Sequence, residues 1–188
     1  MVNTAERPIP KELGLIRDFV NTRELDPDRD EISEPGALAA WLSERGLLPE
    51  GVRATRTHVD QAVELREALR TLLLAHNEET IDTSKAAKAI DHAARQAGLE
   101  VRFNPDCTTE LVPAATGAAA AIGQLVAIVA DAAGTEEWSR LKACRRETCL
   151  WAFYDQARNR SRAWCSMEVC GNREKAQKFR ERHAHSRS

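Results

Sequence analysis

Four of the chain's five cysteines fall within 27 residues, in the pattern Cys144-x4-Cys149-x15-Cys165-x4-Cys170. Thiolates are soft ligands, and two close pairs joined by an arm that can fold back are what a tetrahedral four-sulfur site requires. One zinc ion held by Cys144, Cys149, Cys165 and Cys170 is the expected cofactor. Such a site is structural: four thiolates close the coordination sphere and leave no position for a reactive water. The x4 spacing is looser than the common x2 knuckle, so buried thiols or a thiol redox switch remain alternative uses of the same sulfurs. Cys107 stands apart, in a turn, and is not expected to be a ligand.

The second chemical signal is charge. The formal net charge of −2 argues by itself against nucleic acid, but it is unevenly distributed. Residues 139–188 carry 13 Lys/Arg against 5 Asp/Glu, a surplus of +8, and the remainder of the chain carries −10. An acidic body with a basic appendage suggests a module that meets phosphate. The candidate DNA contacts are Arg158, Asn159, Arg160 and Arg162 on the arm, then Arg173, Lys175, Lys178 and Arg180 on a helix predicted from Asn172 to His183. Arginine and lysine fix position on the backbone, and one or two arginines could read guanine edges. The competing use of Arg145, Arg146 and Arg162 is to offset the net −2 of a zinc tetrathiolate. The arm is read as a short hairpin: strand 150–155, a basic turn, and a strand returning to Cys165. Asn172 is read as the N-cap of the last helix.

These residues need a scaffold. Leu13, Ile16, Phe19 and Val20 have helical spacing; Ser33 and Pro35 open a second helix that Gly46 stops. Val59, Ala62, Leu65, Leu69, Leu72 and Leu73 line one face of a long helix from about Thr57 to His76, and Asp82–Ser84 begins another that Gly98 ends. Leu99, Val101 and Phe103 then alternate with polar residues, and Asn104-Pro105-Asp106-Cys107 turns into a partner strand at 110–112. An alanine-rich helix from Thr116 to Ala133 follows. The stretch 111–130 is uncharged, but Pro113, Gly123 and its many alanines favour a buried helix over a membrane span. The fold class is mainly α with a small β-hairpin (α+β): an N-terminal helical domain over 1–137 and a zinc finger with a C-terminal helix over 138–188. Residues 1–10 show no basic segment followed by an apolar run, so the chain is expected in the cytoplasm.

Cys170-Gly171-Asn172-Arg173, with Trp138–Cys144, Phe153-Tyr154-Asp155, Arg158–Arg162 and Trp164–Met167, resembles the CGNR zinc-finger family of bacterial proteins. Asp18-Phe19-Val20-Asn21-Thr22 resembles the start of the ABATE domain that precedes this finger. The resemblance spans essentially the whole chain and implies a stress-related transcription regulator whose finger binds DNA. Cys107 departs from the glycine that the family carries after Pro-Asp.

The expected function is therefore a zinc-dependent, DNA-binding transcriptional regulator, working as a homodimer if two half-sites are read. Asp18, Asn21, Thr22 and Arg66 are the candidate pocket for a small-molecule effector. The alternative is a zinc-stapled protein–protein interaction module without nucleic acid. No nucleophile–base motif, phosphate loop or histidine metal site is visible, so no enzyme activity and no membrane partner are expected.

Overall fold

The computed structural model describes residues 8–77, 80–176 and 180. Helix α1 (Lys11–Val20) buries Leu13, Ile16, Phe19 and Val20 on one stripe. A short antiparallel hairpin follows, β1 (Arg23–Leu25) with β2 (Asp28–Asp30), paired Arg23↔Asp30 through Leu25↔Asp28. The sequence gives no alternating apolar signal there, which is why periodicity does not predict it. Helix α2 (Pro35–Glu44) begins with Pro35 in its first turn; its N-cap position is Glu34 rather than Ser33. The long helix α3 (Arg56–Ala75) is fixed at its start by a reciprocal cap, with His58 N donating to Thr55 Oγ1 and Thr55 N donating to His58 Nδ1.

Helix α4 (Ser84–Ala97) ends at Gly98, whose φ of 59° is left-handed and turns the chain directly into a strand. The predicted hairpin is present as β3 (Leu99–Phe103) and β4 (Thr109–Pro113), in register from Leu99↔Pro113 to Phe103↔Thr109. Cys107 sits in its turn with φ 67°. Helix α5 (Gly117–Ala132) follows and packs against α4 so closely that a Cβ on Gly123 would lie 2.5 Å from the Ala97 Cβ. The small residues of both helices serve that approach.

A short helix α6 (Glu136–Arg140) leads into β5 (Leu141–Ala143), which pairs antiparallel with β6 (Ala152–Tyr154). The strand at 152–154 therefore pairs backwards with 141–143, and the segment that returns to Cys165 is irregular. This corrects the hairpin expected within the arm. The single core joins α1, α2, α3 and α5 to Trp138, Leu141, Ala143, Ala152 and Tyr154. The cysteine-bearing segment thus shares the hydrophobic interior of the helical body. No helix among the described residues is long and apolar enough to cross a membrane.

Candidate metal centre

The two halves of the site are built differently. Cys144 follows β5, and its N–H donates to the Trp151 carbonyl at 3.0 Å, closing a loop that carries Cys149. Inside that loop Cys149 and Leu150 both donate to the Arg146 carbonyl, and Leu150 takes a left-handed φ of 48° to bring the chain back into β6. The second half is a turn of π-helix over Met167–Gly171, opened by Ser166, whose Oγ accepts from Val169 N. Residues 172–176 continue as helix. Asn172 therefore lies inside the helical segment, its Nδ2 donating to the Glu168 carbonyl, and the capping residue is Ser166. The capping preference of asparagine loses here because the helix must already be wound when it delivers Cys170.

The four sulfurs converge. All lie within 4.8 Å of one another, and Cys149–Cys165 and Cys165–Cys170 are 3.7 Å apart. A tetrahedron with zinc–sulfur bonds of about 2.3 Å has edges of about 3.8 Å, so the spacing fits one ion. The donor set fits chemically as well. Hydrogen bonds from Cys149 and Cys165 bring the Cys144 thiol down to about 2, while the hydrogen bond with Cys144 and burial push Cys149 up to about 12. Cys165 is raised too, first by its hydrogen bond to Cys144. Four sulfurs packed this tightly cannot all carry charge until a cation joins them. Zinc supplies that cation and cross-links the two halves; Cys144 and Cys170 are buried, and Cys149 and Cys165 are partly so.

Around the sulfurs, side chains of the helical body grip the backbone of the cysteine segments. Asn21 at the end of α1 donates to the Ala152 carbonyl at 2.9 Å and accepts from its N–H at 2.8 Å. Arg70 of α3 donates to Leu150 O at 2.9 Å, to Val20 O at 2.7 Å and to Glu67. Just beyond α3, Asn77 Nδ2 donates to the carbonyls of Ala143 at 2.8 Å and Ala163 at 2.9 Å, the residue before Cys144 and the second before Cys165. The Arg145 guanidinium returns to the Asn77 carbonyl. His76 Nδ1 bonds to Leu141 O at 2.8 Å, and the ring stands edge-on to Trp138. Burial holds the His76 imidazole below its ordinary 6.5, with the Lys142 charge acting the same way and outweighing the bond to Leu141.

The basic loop has its own frame. Asp155, fully buried, accepts from Lys142 Nζ at 2.9 Å, Ala157 N at 3.0 Å and Arg162 N at 3.0 Å. Lys142 also donates to the Arg160 carbonyl, and Arg140 to the carbonyls of Asp155 and Ala157. Two cations of the basic tail, Arg140 and Lys142, are thus buried supports. Their charge gives no sign of this in the sequence; the adjacent apolar residues of β5 and β6 are the only local hint.

The predicted contact residues fall into distinct settings. Arg158, Asn159, Arg173, Lys175 and Arg180 are exposed. Arg160 is exposed but ion-paired to Glu136 at 2.6 Å. Arg162 is half-buried, donates to the Cys165 carbonyl at 2.8 Å and lies over the Phe153 ring. Arg173 stands 3.9 Å from Asp26 in the β1–β2 turn. Lys178 lies outside the described residues.

Of the candidate pocket residues, Asp18 and Asn21 line a cleft of about 480 Å³ between α1 and β6, together with Arg17, Arg45 and Trp151. Thr22 and Arg66 lie elsewhere, in the interior. Arg66 forms a two-pronged pair with Asp30, both contacts at 2.8 Å, and donates to Thr22 Oγ1 at 3.1 Å. Burial opposes ionisation of Asp30, but hydrogen bonds from Arg66 and the Ile32 N–H, with the Arg66 charge, outweigh it and hold the carboxyl below its ordinary 3.8.

Comparison with known families gives two matches. A family described as "CGNR zinc finger" covers residues 140–183. A second, ABATE, described as "Putative stress-induced transcription regulator", covers residues 14–136. No curated protein matches the chain.

Proposed function

Because the chain belongs to the ABATE family and carries a CGNR zinc finger, we propose that it is a zinc-dependent DNA-binding transcriptional regulator. The observation that carries this reading is the loop Arg158–Arg160. It is exposed, basic and held by the buried Asp155–Lys142 pair on the same segment that the zinc ligands anchor. Exposed Arg173, Lys175 and Arg180 extend the basic surface along the helix that leaves Cys170. Phosphate contacts from such residues give affinity that depends steeply on salt.

The ion's part is structural. It joins the two halves of the finger and leaves no open coordination position, so we read the protein as a regulator without catalytic activity. The cleft containing Asp18 and Asn21 abuts β6 and is the place where an effector would bear on the finger. We read residues 1–137 and 138–188 as a sensing and a contacting unit that fold as one body.

The test is binding of the zinc-loaded protein to genomic DNA fragments at two salt concentrations. Arg158→Ala with Lys175→Ala should weaken binding and flatten the salt dependence while zinc content stays unchanged. Salt-independent binding, or none, refutes the reading. Arg162→Ala is unsuitable because that side chain supports the Cys165 carbonyl. Half-exposed Met167 and Val169 beside Cys170 favour the second reading, a finger that docks on protein. DNA binding that survives Met167→Ser and Val169→Ser separates the two.

A further inference from the structure

The β3–β4 hairpin carries the two most exposed large apolar side chains among the described residues, Phe103 at 79 % and Val101 at 57 %. Its hydrogen-bonding phase follows from its two ends. Ala114 N donates to Gly98 O and Asn104 N donates to Thr108 O, so the hydrogen-bonded pairs are the even positions of β3. Glu100 and Arg102 therefore direct their backbone groups toward β4. Leu99, Val101 and Phe103 direct theirs away, along the free edge of the sheet. No hydrogen bond among the described residues engages the outward groups of Val101 and Phe103. The other strand, β4, lies against α5 and is half-buried over 111–113, whereas residues 100–103 of β3 are exposed, so β3 offers the more accessible edge.

The only guards on this edge are the charges of Glu100 and Arg102. The edge holds no proline, lysine or bulge, and its register with β4 is unbroken over five residues. It is also complementary to itself. Laid antiparallel on a second β3 with Val101 at the centre, Leu99 meets Phe103, Val101 meets Val101, and Glu100 meets Arg102 twice. The outward backbone groups fall opposite one another and would form about six hydrogen bonds. The side chains of Leu99, Val101 and Phe103 from both copies would share one face. Each Glu100–Arg102 pair would lie on the other face, where Arg102 already pairs with Glu110 at 3.4 Å within the chain.

We propose that β3 is the self-association edge of this protein, pairing antiparallel with β3 of a second copy about a two-fold axis at Val101. The outcome is a four-stranded sheet in the order β4-β3-β3-β4 and a closed, symmetric dimer.

Sedimentation velocity on the zinc-loaded full chain tests it, over a range from low micromolar to about a hundred micromolar. The wild-type chain should form a dimer and nothing larger. Glu100→Arg or Arg102→Glu alone places like charges opposite each other twice and should weaken dimerisation by about tenfold or more. The double variant Glu100→Arg with Arg102→Glu, made together with Glu110→Arg so that the pair across β3 and β4 is kept, restores both intermolecular pairs and should recover the dimer. Val101→Lys should leave a monomer. Far-UV circular dichroism and the metal-to-protein ratio establish that each exposed substitution leaves the fold intact. A monomeric wild type, single reversals that dimerise normally, a double reversal no better than the singles, or open-ended aggregation would each overturn the proposal.

Discussion

At the scale of residues, the interior of this protein is held by polar groups whose value lies in their being paired. Arg66 is 2 % exposed and paired with Asp30 by two prongs and with Glu67 by one, so removing Asp30 leaves a buried guanidinium with only its half-exposed Glu67 partner. Asp30→Ala is expected to cost about 3 kcal/mol, measurable by urea denaturation. His76 sets a pH dependence. The unfolded chain's imidazole takes up a proton near pH 6.5 and the folded one only at lower pH, because burial disfavours the cation. Protonation therefore favours the unfolded chain: the contribution is whole above pH 6.5 and shrinks as pH falls below it. His76→Gln should flatten this part of the stability profile, and an NMR titration should place the imidazole below its ordinary value. The cysteines add a steeper effect. With Cys149 raised to about 12 and Cys165 raised as well, both thiols are protonated at neutral pH before metal enters. Zinc displaces at least those two protons, so its apparent affinity should fall by at least about a hundredfold for each unit that pH is lowered. A competition titration against a chelator at several pH values reads this directly.

At the scale of elements, the end of α3 is the hinge between scaffold and site. Asn77 touches no sulfur, yet it ties together the backbones leading to Cys144 and Cys165. Asn77→Ala leaves the buried Ala143 carbonyl without this donor and the Ala163 carbonyl with the Arg145 N–H alone, and should cost about 2 kcal/mol. It should also weaken zinc binding by about tenfold, as loss of a supporting contact does. The α4–α5 contact makes a different demand. At Gly123 an added methyl meets Ala97 at 2.5 Å and Pro113 at 3.1 Å, on backbones with little room to yield. Gly123→Ala should destabilise by about 1–3 kcal/mol through overpacking, visible as a lowered thermal midpoint with zinc content unchanged.

At the scale of the whole molecule, the finger and the helical body are a single packed object. Leu141, Ala143, Ala152 and Tyr154 lie in the same core cluster as Leu65, Leu69 and Leu73 of α3. Zinc bound to the folded chain stabilises all of it by mass action. Chelation should therefore lower the midpoint of the far-UV helical signal, most of which comes from the N-terminal helices, in one transition and not in two. Two separated transitions would mean that the body and the finger melt independently. The shared core also gives a physical route from the cleft beside α1 to the basic loop. Asn21 lines that cleft and holds β6, and β6 leads directly into Asp155.

Much of this was legible in the chain order alone. Helical periodicity located α1 to α5, the alternation at 99–103 located a hairpin, and the cysteine spacing identified four sulfurs that do converge. These signals are local or depend on residue type, and one sequence carries them in full. The charge division between body and tail was equally plain, but not its use. Arg66, Arg70, Arg140 and Lys142 look like surface cations and are buried. Their partners are Asp30, Asp155, Glu67 and Glu136 and backbone carbonyls such as those of Val20 and Leu150, up to 80 positions away in the chain. The β1–β2 hairpin, the pairing of β6 with β5 and the start of the last helix at Met167 were likewise decided by packing. Spacing can state which side chains are able to bind a metal, because that is a property of their chemistry. Which cations face solvent and which brace the site depends on what the folded chain places beside them.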